Sequence, residues 1–369
     1  MYLDGITLFL IRLPLKAPFE TSTGRITHRE AILLRLEAGS LEGWGECVAG
    51  SVPDYSYETT GTAWHVLRDL LIPAALRHDW QGPEDLQRLS AWIRGHPMAR
   101  AGLEMALWDL WGQQKNRSLR DLLGGERDRV PVGVSIGIQP SIEELLRTVE
   151  GFVAQGYRRV KLKIKPGREV GEVRAVREAF PELPLQVDAN AAYRLEDAPV
   201  LKELDAFDLL LIEQPLDEDD LLEHARLQAQ LRTPICLDES IKSARHARWA
   251  LEMGACRVIN IKPGRVGGLL EARRIHELCQ QRGVPVWCGG MLETGIGRAS
   301  NLAIATLPGF TLPGDLSASD RYYVEEVIDP PFALEPDGTI RVPGGPGLGV
   351  TVRLDRILRY TIRMERFTG

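Results

Sequence analysis

Lys163, Asp188, Glu213, Asp238 and Lys262 follow one another at intervals of 25, 25, 25 and 24 residues. Each belongs to a short apolar run, VKLKI, LQVDAN, LLLIEQP, PICLDES or VINIKPG, and each run precedes a segment with helical spacing. That reads as repeated β/α units with one charged group at the carboxyl end of each strand, the rim where parallel barrels build active sites. Three carboxylates between two lysines form a metal-plus-base constellation.

Singly, an acidic residue after a strand can serve as a helix cap. Jointly, three of them on neighbouring strands about 4.8 Å apart would repel and raise one another's pKa values. A divalent cation removes the conflict, and three oxygen ligands with open positions suit Mg2+ or Mn2+. No histidine or cysteine stands at an equivalent position, which disfavours zinc.

Strand order puts Lys163 one strand before the carboxylates and Lys262 one strand after them. In a closed barrel the two amines face each other across the mouth. One can take a proton from a carbon while the other returns a proton to its opposite face, which is racemisation or epimerisation. The chain has 8 lysines among 45 basic residues, yet lysine stands at 161, 163, 165 and 262. Arginine stays protonated, whereas lysine can lose its proton when buried, so the choice points to chemistry. A surface cluster, or a salt-bridge partner in the case of Lys262, is the plainer alternative. Lys161 shares Lys163's side of the strand by period two, and its charge is expected to lower the pKa of its neighbour.

The elements that position these groups begin at VPVGVSIGI. Strands are expected at 130–138, 158–164, 184–188, 208–213, 234–238, 257–262, 285–289 and 311–315, with helices such as SIEELLRTVEGFVAQG and GLLEARRIHELCQQRG between them. The fold class is α/β: a (β/α)-barrel over 126–320, a modified TIM barrel, with an α+β capping domain over 1–125. The segment 321–369 returns to β-like runs, TIRVP and VTVRLDRILRYTIRM, and is expected to pack back on the cap. An open doubly wound sheet would need a glycine-rich phosphate turn, and GVSIGIQPS is not one.

The order KLK (161–163), DAN (188–190), EQP (213–215), DES (238–240) and NIKPGRVGG (260–268) strongly resembles the muconate-lactonising subgroup of the enolase superfamily. Nearly the whole chain takes part. GVSIGI, KLKIKPG, WCGGMLETGIGR and LPGDLSASDRYY look most like N-acylamino acid racemases and the related o-succinylbenzoate synthases. The resemblance implies metal ligation by Asp188, Glu213 and Asp238 and acid/base roles for Lys163 and Lys262, acting through an enediolate of the kind that superfamily stabilises with Mg2+. It also implies that Lys161 and Asn190 assist the substrate carboxylate, that Glu239 stands behind the ligands, and that Ser135 and Gly290 lie near the acyl end. Phe19 and Tyr322 become candidates for a lid and apolar pocket, although a lone aromatic is more often core. A homo-oligomer, an octamer in many such proteins, follows from the same likeness.

Racemisation of N-acylamino acids and syn-dehydration to o-succinylbenzoate would use the same lysines and metal. Dipeptide epimerases carry Asp-x-Asp on the last strand; here the run is Gly314-Asp315-Leu316-Ser317, which suits an acylated nitrogen better. From another class, Lys163 could form a Schiff base with Gly289-Gly290 binding phosphate, a reading that leaves the acidic trio unexplained. A net charge of −6 gives no nucleic-acid-binding surface, and no run reaches the ~18 apolar residues of a membrane span. Five unpaired cysteines and no leader-like start suit a cytoplasmic protein acting on a small carboxylate.

Overall fold

Residues 1–369 are described by a computed structural model. The strands Gly5–Glu20, Arg25–Ala38 and Leu41–Cys47 form an antiparallel meander, with the terminal strand Thr361–Thr368 added beside the first. The long helix Pro97–Lys115 lies on the third strand. Gly45 permits that approach: a Cβ there would fall 2.7 Å from the backbone nitrogen of Ala106. The helix buries most of its residues, so its apolar side chains form the centre of the cap core.

Seven parallel strands make the second sheet, in sequence order from Val134–Ile136 through Val160–Lys163, Leu185–Asp188, Ile212–Glu213, Ile235–Leu237 and Val258–Ile261 to Val286–Cys288. Helices between them include Ile142–Ala154, capped by Ser141, and Leu269–Gln281. The sheet curls, so its strand ends converge, and the architecture is the modified barrel with a separate antiparallel cap.

Four elements differ from the expectation. The eighth strand, 311–315, forms no ladder, because Pro313 lacks a donor. The segment still bridges the seam: Asp315 N donates to Cys288 O at 2.9 Å, and Gly133 N to Gly314 O at 2.8 Å. The expected strand 130–138 is two strands. Arg129–Pro131 pairs antiparallel with Thr339–Arg341, and only Val134–Ile136 joins the barrel. The TIRVP run therefore lies against the start of the barrel rather than the cap, and the run expected to be β around RLDRILRY is a helix, Leu354–Tyr360.

Candidate active site

Register brings the carboxylates together. Asp188 is the Cα partner of Glu213, and Lys163 is the partner of Asp188. Asp238 follows the next strand, Ile235–Leu237. All three carboxylates are buried. Lys161 Nζ lies 3.0 Å from Asp188 and 2.8 Å from Glu213. Lys163 Nζ is 2.7 Å from Asp188 and donates to Asn190 Oδ1 at 2.6 Å. At the other end Lys262 Nζ is 2.7 Å from Asp238, which also pairs with Arg265. Asn260 donates to Glu213 at 2.8 Å.

Electrostatics follow from this packing. Burial opposes the Lys161 charge, but Asp315, Glu213 and Asp188 outweigh it and hold its pKa well above the ordinary lysine value. For Lys262 burial is likewise overcome, by Tyr55, Glu213, Glu239 and Asp188, and the pKa is raised. Burial would raise Asp188, yet Lys163 and Lys161 pull it below the usual range. Glu213 is pushed up by burial and by Asp188. The anions around them thus favour the protonated forms of both Lys161 and Lys262 in this arrangement. Lys161 meets three carboxylates, those of Asp315, Glu213 and Asp188.

A cavity of about 370 Å³ lies between cap and barrel, and Lys161, Lys163, Lys262, Asn190, Ser135 and Gly290 are among its lining residues. Phe19 and Tyr322 line it too and touch each other edge-on, with ring centroids 6.1 Å apart. Glu239 lines the same cavity: Asn190 Nδ2 donates to its Oε1 at 2.9 Å, and Oε2 is buried without a partner. Ser135 Oγ is also buried and unpartnered. Asn190 holds φ at 45°, which turns the chain after Asp188 so that both its amide oxygen and nitrogen are used. Gly289 does not resemble a phosphate cradle. A Cβ there would fall 2.6 Å from Lys262 Cε, so glycine makes room for the amine.

The donor set is all oxygen, buried and on adjacent strands, which fits a hard divalent cation. In the arrangement shown, no three side chains converge at ligand spacing. The carboxylates lie under the lysines, and every oxygen of the trio accepts a hydrogen bond from Lys161, Lys163, Lys262, Arg265, Tyr55, Asn190 or Asn260. Compensation by ammonium is thus a second answer to the crowding of anions that sequence spacing alone assigns to a metal.

Two descriptions match the chain in succession: the mandelate racemase / muconate lactonizing enzyme N-terminal domain over residues 5–124, and the enolase C-terminal domain-like region over 144–356. The chain belongs to the enolase superfamily. It is 52% identical over 360 residues to an o-succinylbenzoate synthase of Geobacillus stearothermophilus, covering 97% of this chain and 96% of that one. It is 54% identical over 351 residues to an N-succinylamino acid racemase of Amycolatopsis sp, covering 95% of each. A solved enolase-superfamily structure from Listeria innocua superposes with a TM-score of 0.96 at 43% identity, covering 100% of this chain and 99% of that one. The enzyme is therefore of the o-succinylbenzoate synthase and N-succinylamino acid racemase type, and members of this superfamily use a divalent metal, usually Mg2+.

Sequence spacing passed over several residues at the site of this superfamily member. Tyr55, in a cap loop, donates to Asp238 Oδ1 at 3.1 Å and accepts from Lys262 at 3.1 Å. Nothing local marks it. Arg159, Lys161 and Lys163 alternate along one strand, so period two could have shown Arg159 facing inward. Arg159 and Lys161 both reach Asp315, at 2.6 Å each.

Proposed function

We propose that this chain racemises N-acylamino acids by proton transfer between Lys163 and Lys262, with syn-dehydration to o-succinylbenzoate as a second activity of the same residues. The observation that carries this reading is the pair of amines at the two ends of one carboxylate row, both lining the cavity. Syn-elimination needs acid/base chemistry on one face only, whereas proton return to the opposite face needs an amine on each.

Asp188, Glu213 and Asp238 would hold the divalent cation. When bound, it supplies the charge stabilisation that a carbon acid beside a carboxylate requires. Asn190 and Glu239 hold the loop after Asp188 in place, and Lys161 offers a fixed positive charge to the substrate carboxylate. The cap loop is tied to the barrel rim: Ser22 Oγ donates to Ala189 O at 2.9 Å, which holds the loop of Phe19 by the strand ends.

The nitrogen of the substrate is read as acylated. Asp315 has one oxygen on Arg159 and the other on Lys161, so no free carboxylate remains there for an α-ammonium. The names of both relatives contain a succinyl group, whose terminal carboxylate is a second anion remote from the reacting carbon. Arg29 of the cap is placed to receive it. It lines the cavity at 8% exposure, no acidic group lies within salt-bridge range, and its Nη1 makes no hydrogen bond. Arg298, by contrast, spends both terminal nitrogens on the carbonyls of Ser317 and Glu293.

The test is a paired assay on the Mg2+-supplemented protein. Optical rotation of a single-enantiomer N-succinylamino acid should decay to zero. Absorbance of the o-succinylbenzoate precursor should fall with the same metal dependence. Dehydration without racemisation would make the synthase reading the correct one, and activity indifferent to metal would remove both.

A further inference from the structure

The barrel floor holds a second ion cluster that the proton-transfer scheme does not use. Arg159 is fully buried, with Nη1 2.6 Å from Asp315 Oδ1 and Nη2 donating to Pro313 O at 2.7 Å. Its guanidinium lies over the Trp287 ring at 5.4 Å, and Lys161 Nζ lies over the same ring at 5.0 Å. Gly133 leaves the space, since any Cβ there would overlap the guanidinium. A buried guanidinium is tolerated only with its charge answered, so Asp315 is held firmly in one orientation.

The other oxygen of Asp315 takes Lys161. Lys161 Nζ lies 2.6 Å from Asp315, 2.8 Å from Glu213 and 3.0 Å from Asp188; it donates hydrogen bonds to the last two and forms a close ion pair with the first. Asp315 comes from the segment that closes the barrel, whereas the other two come from the strands following Lys161's own. The shortest contact is therefore the one that leads away from the carboxylate row. We propose that Asp315, fixed by Arg159, is a positioning residue that keeps the Lys161 ammonium from settling onto Asp188 and Glu213, and so sets the affinity of that pair for a divalent cation. Without Asp315 the ammonium is drawn wholly towards the two remaining carboxylates, and an entering cation must displace a more tightly held charge.

This inference rests on the reading of Asp188 and Glu213 as metal ligands, and the test separates the two. Mn2+ is titrated into the full-length protein by calorimetry, with no substrate present. Asp315→Asn should weaken binding about tenfold in the native background and less than about threefold in a Lys161→Met background, a coupling read from the double-mutant cycle. Because Asn at 315 leaves Arg159 uncompensated, the Arg159→Met/Asp315→Asn pair is carried through the same titrations and should show the same loss. Equal losses with and without Lys161 would mean that Asp315 acts through its own charge, and the inference would fall while the ligand reading stood. No Mn2+ binding by the native protein would overturn the ligand reading and the inference with it.

Discussion

Lys163 and Lys262 flank the carboxylate row, the first 2.7 Å from Asp188 and the second 2.7 Å from Asp238, and they share no carboxylate. Each amine can therefore be removed without unseating the other. Lys163→Ala and Lys262→Ala should each lower racemisation by about 10³-fold or more. Each should still exchange the α-proton of one enantiomer, seen by proton NMR in deuterated water. Full racemisation by either variant would end the two-base scheme.

Metal should stabilise the fold as well as activate it. Mg2+ at about 100 times its Kd adds about 2.7 kcal/mol, so Tm should rise on adding Mg2+ to chelator-treated protein. Asp238→Asn should largely lose that rise. An undiminished shift in this variant would take Asp238 out of the ligand set.

If Arg29 receives the distant carboxylate, Arg29→Met removes a charge-assisted contact worth about 1.5–3 kcal/mol. kcat/KM for an N-succinylamino acid should drop about tenfold or more. The N-acetyl analogue, which lacks that carboxylate, should be nearly unaffected. Equal losses on both substrates would assign Arg29 to the cap framework alone.

Stability should vary with pH through Glu104, whose oxygens accept the backbone N–H groups of Leu269 and Leu270 at the start of a barrel helix. Burial raises its pKa to about 7 despite these bonds. The folded state then keeps a proton that the unfolded chain has lost above its ordinary value of 4.5. Stability accordingly falls as pH rises from 4.5 to 7 and levels off above that. At about 1.4 kcal/mol for each tenfold change in proton affinity, the whole effect is about 3 kcal/mol. Glu104→Gln should flatten Tm across that window, and an unchanged slope would assign the dependence elsewhere. Glu46, also raised to about 7 by burial, bonds the start of another barrel helix through Thr294 and Gly297 and should behave in the same way.

Much of the barrel was legible because each strand is short, apolar and ended by a polar group, a pattern carried by neighbouring residues. The closing segment 311–315 departs from the expectation for the opposite reason. Its apolar run resembles a strand, but Pro313 denies it a ladder, and its bonds go to residues far away in sequence. The split at Arg129–Pro131 has a similar origin, since its partner is Thr339–Arg341. In the candidate site, the row from Lys163 to Lys262 was visible as a periodicity. Tyr55 was not, because it reaches Lys262 across 207 positions from a loop without periodic character.

Sequence by itself determined the order of charges along the barrel rim. Register in a parallel sheet follows from strand spacing, and spacing is written locally. Tertiary structure decided how those charges are compensated. The lysines, Arg265, Asn260 and Tyr55 answer the carboxylates in the arrangement shown, and Asp315 divides Lys161 between two sets of anions. Such balances depend on burial and on groups brought together from distant segments, which no local pattern encodes.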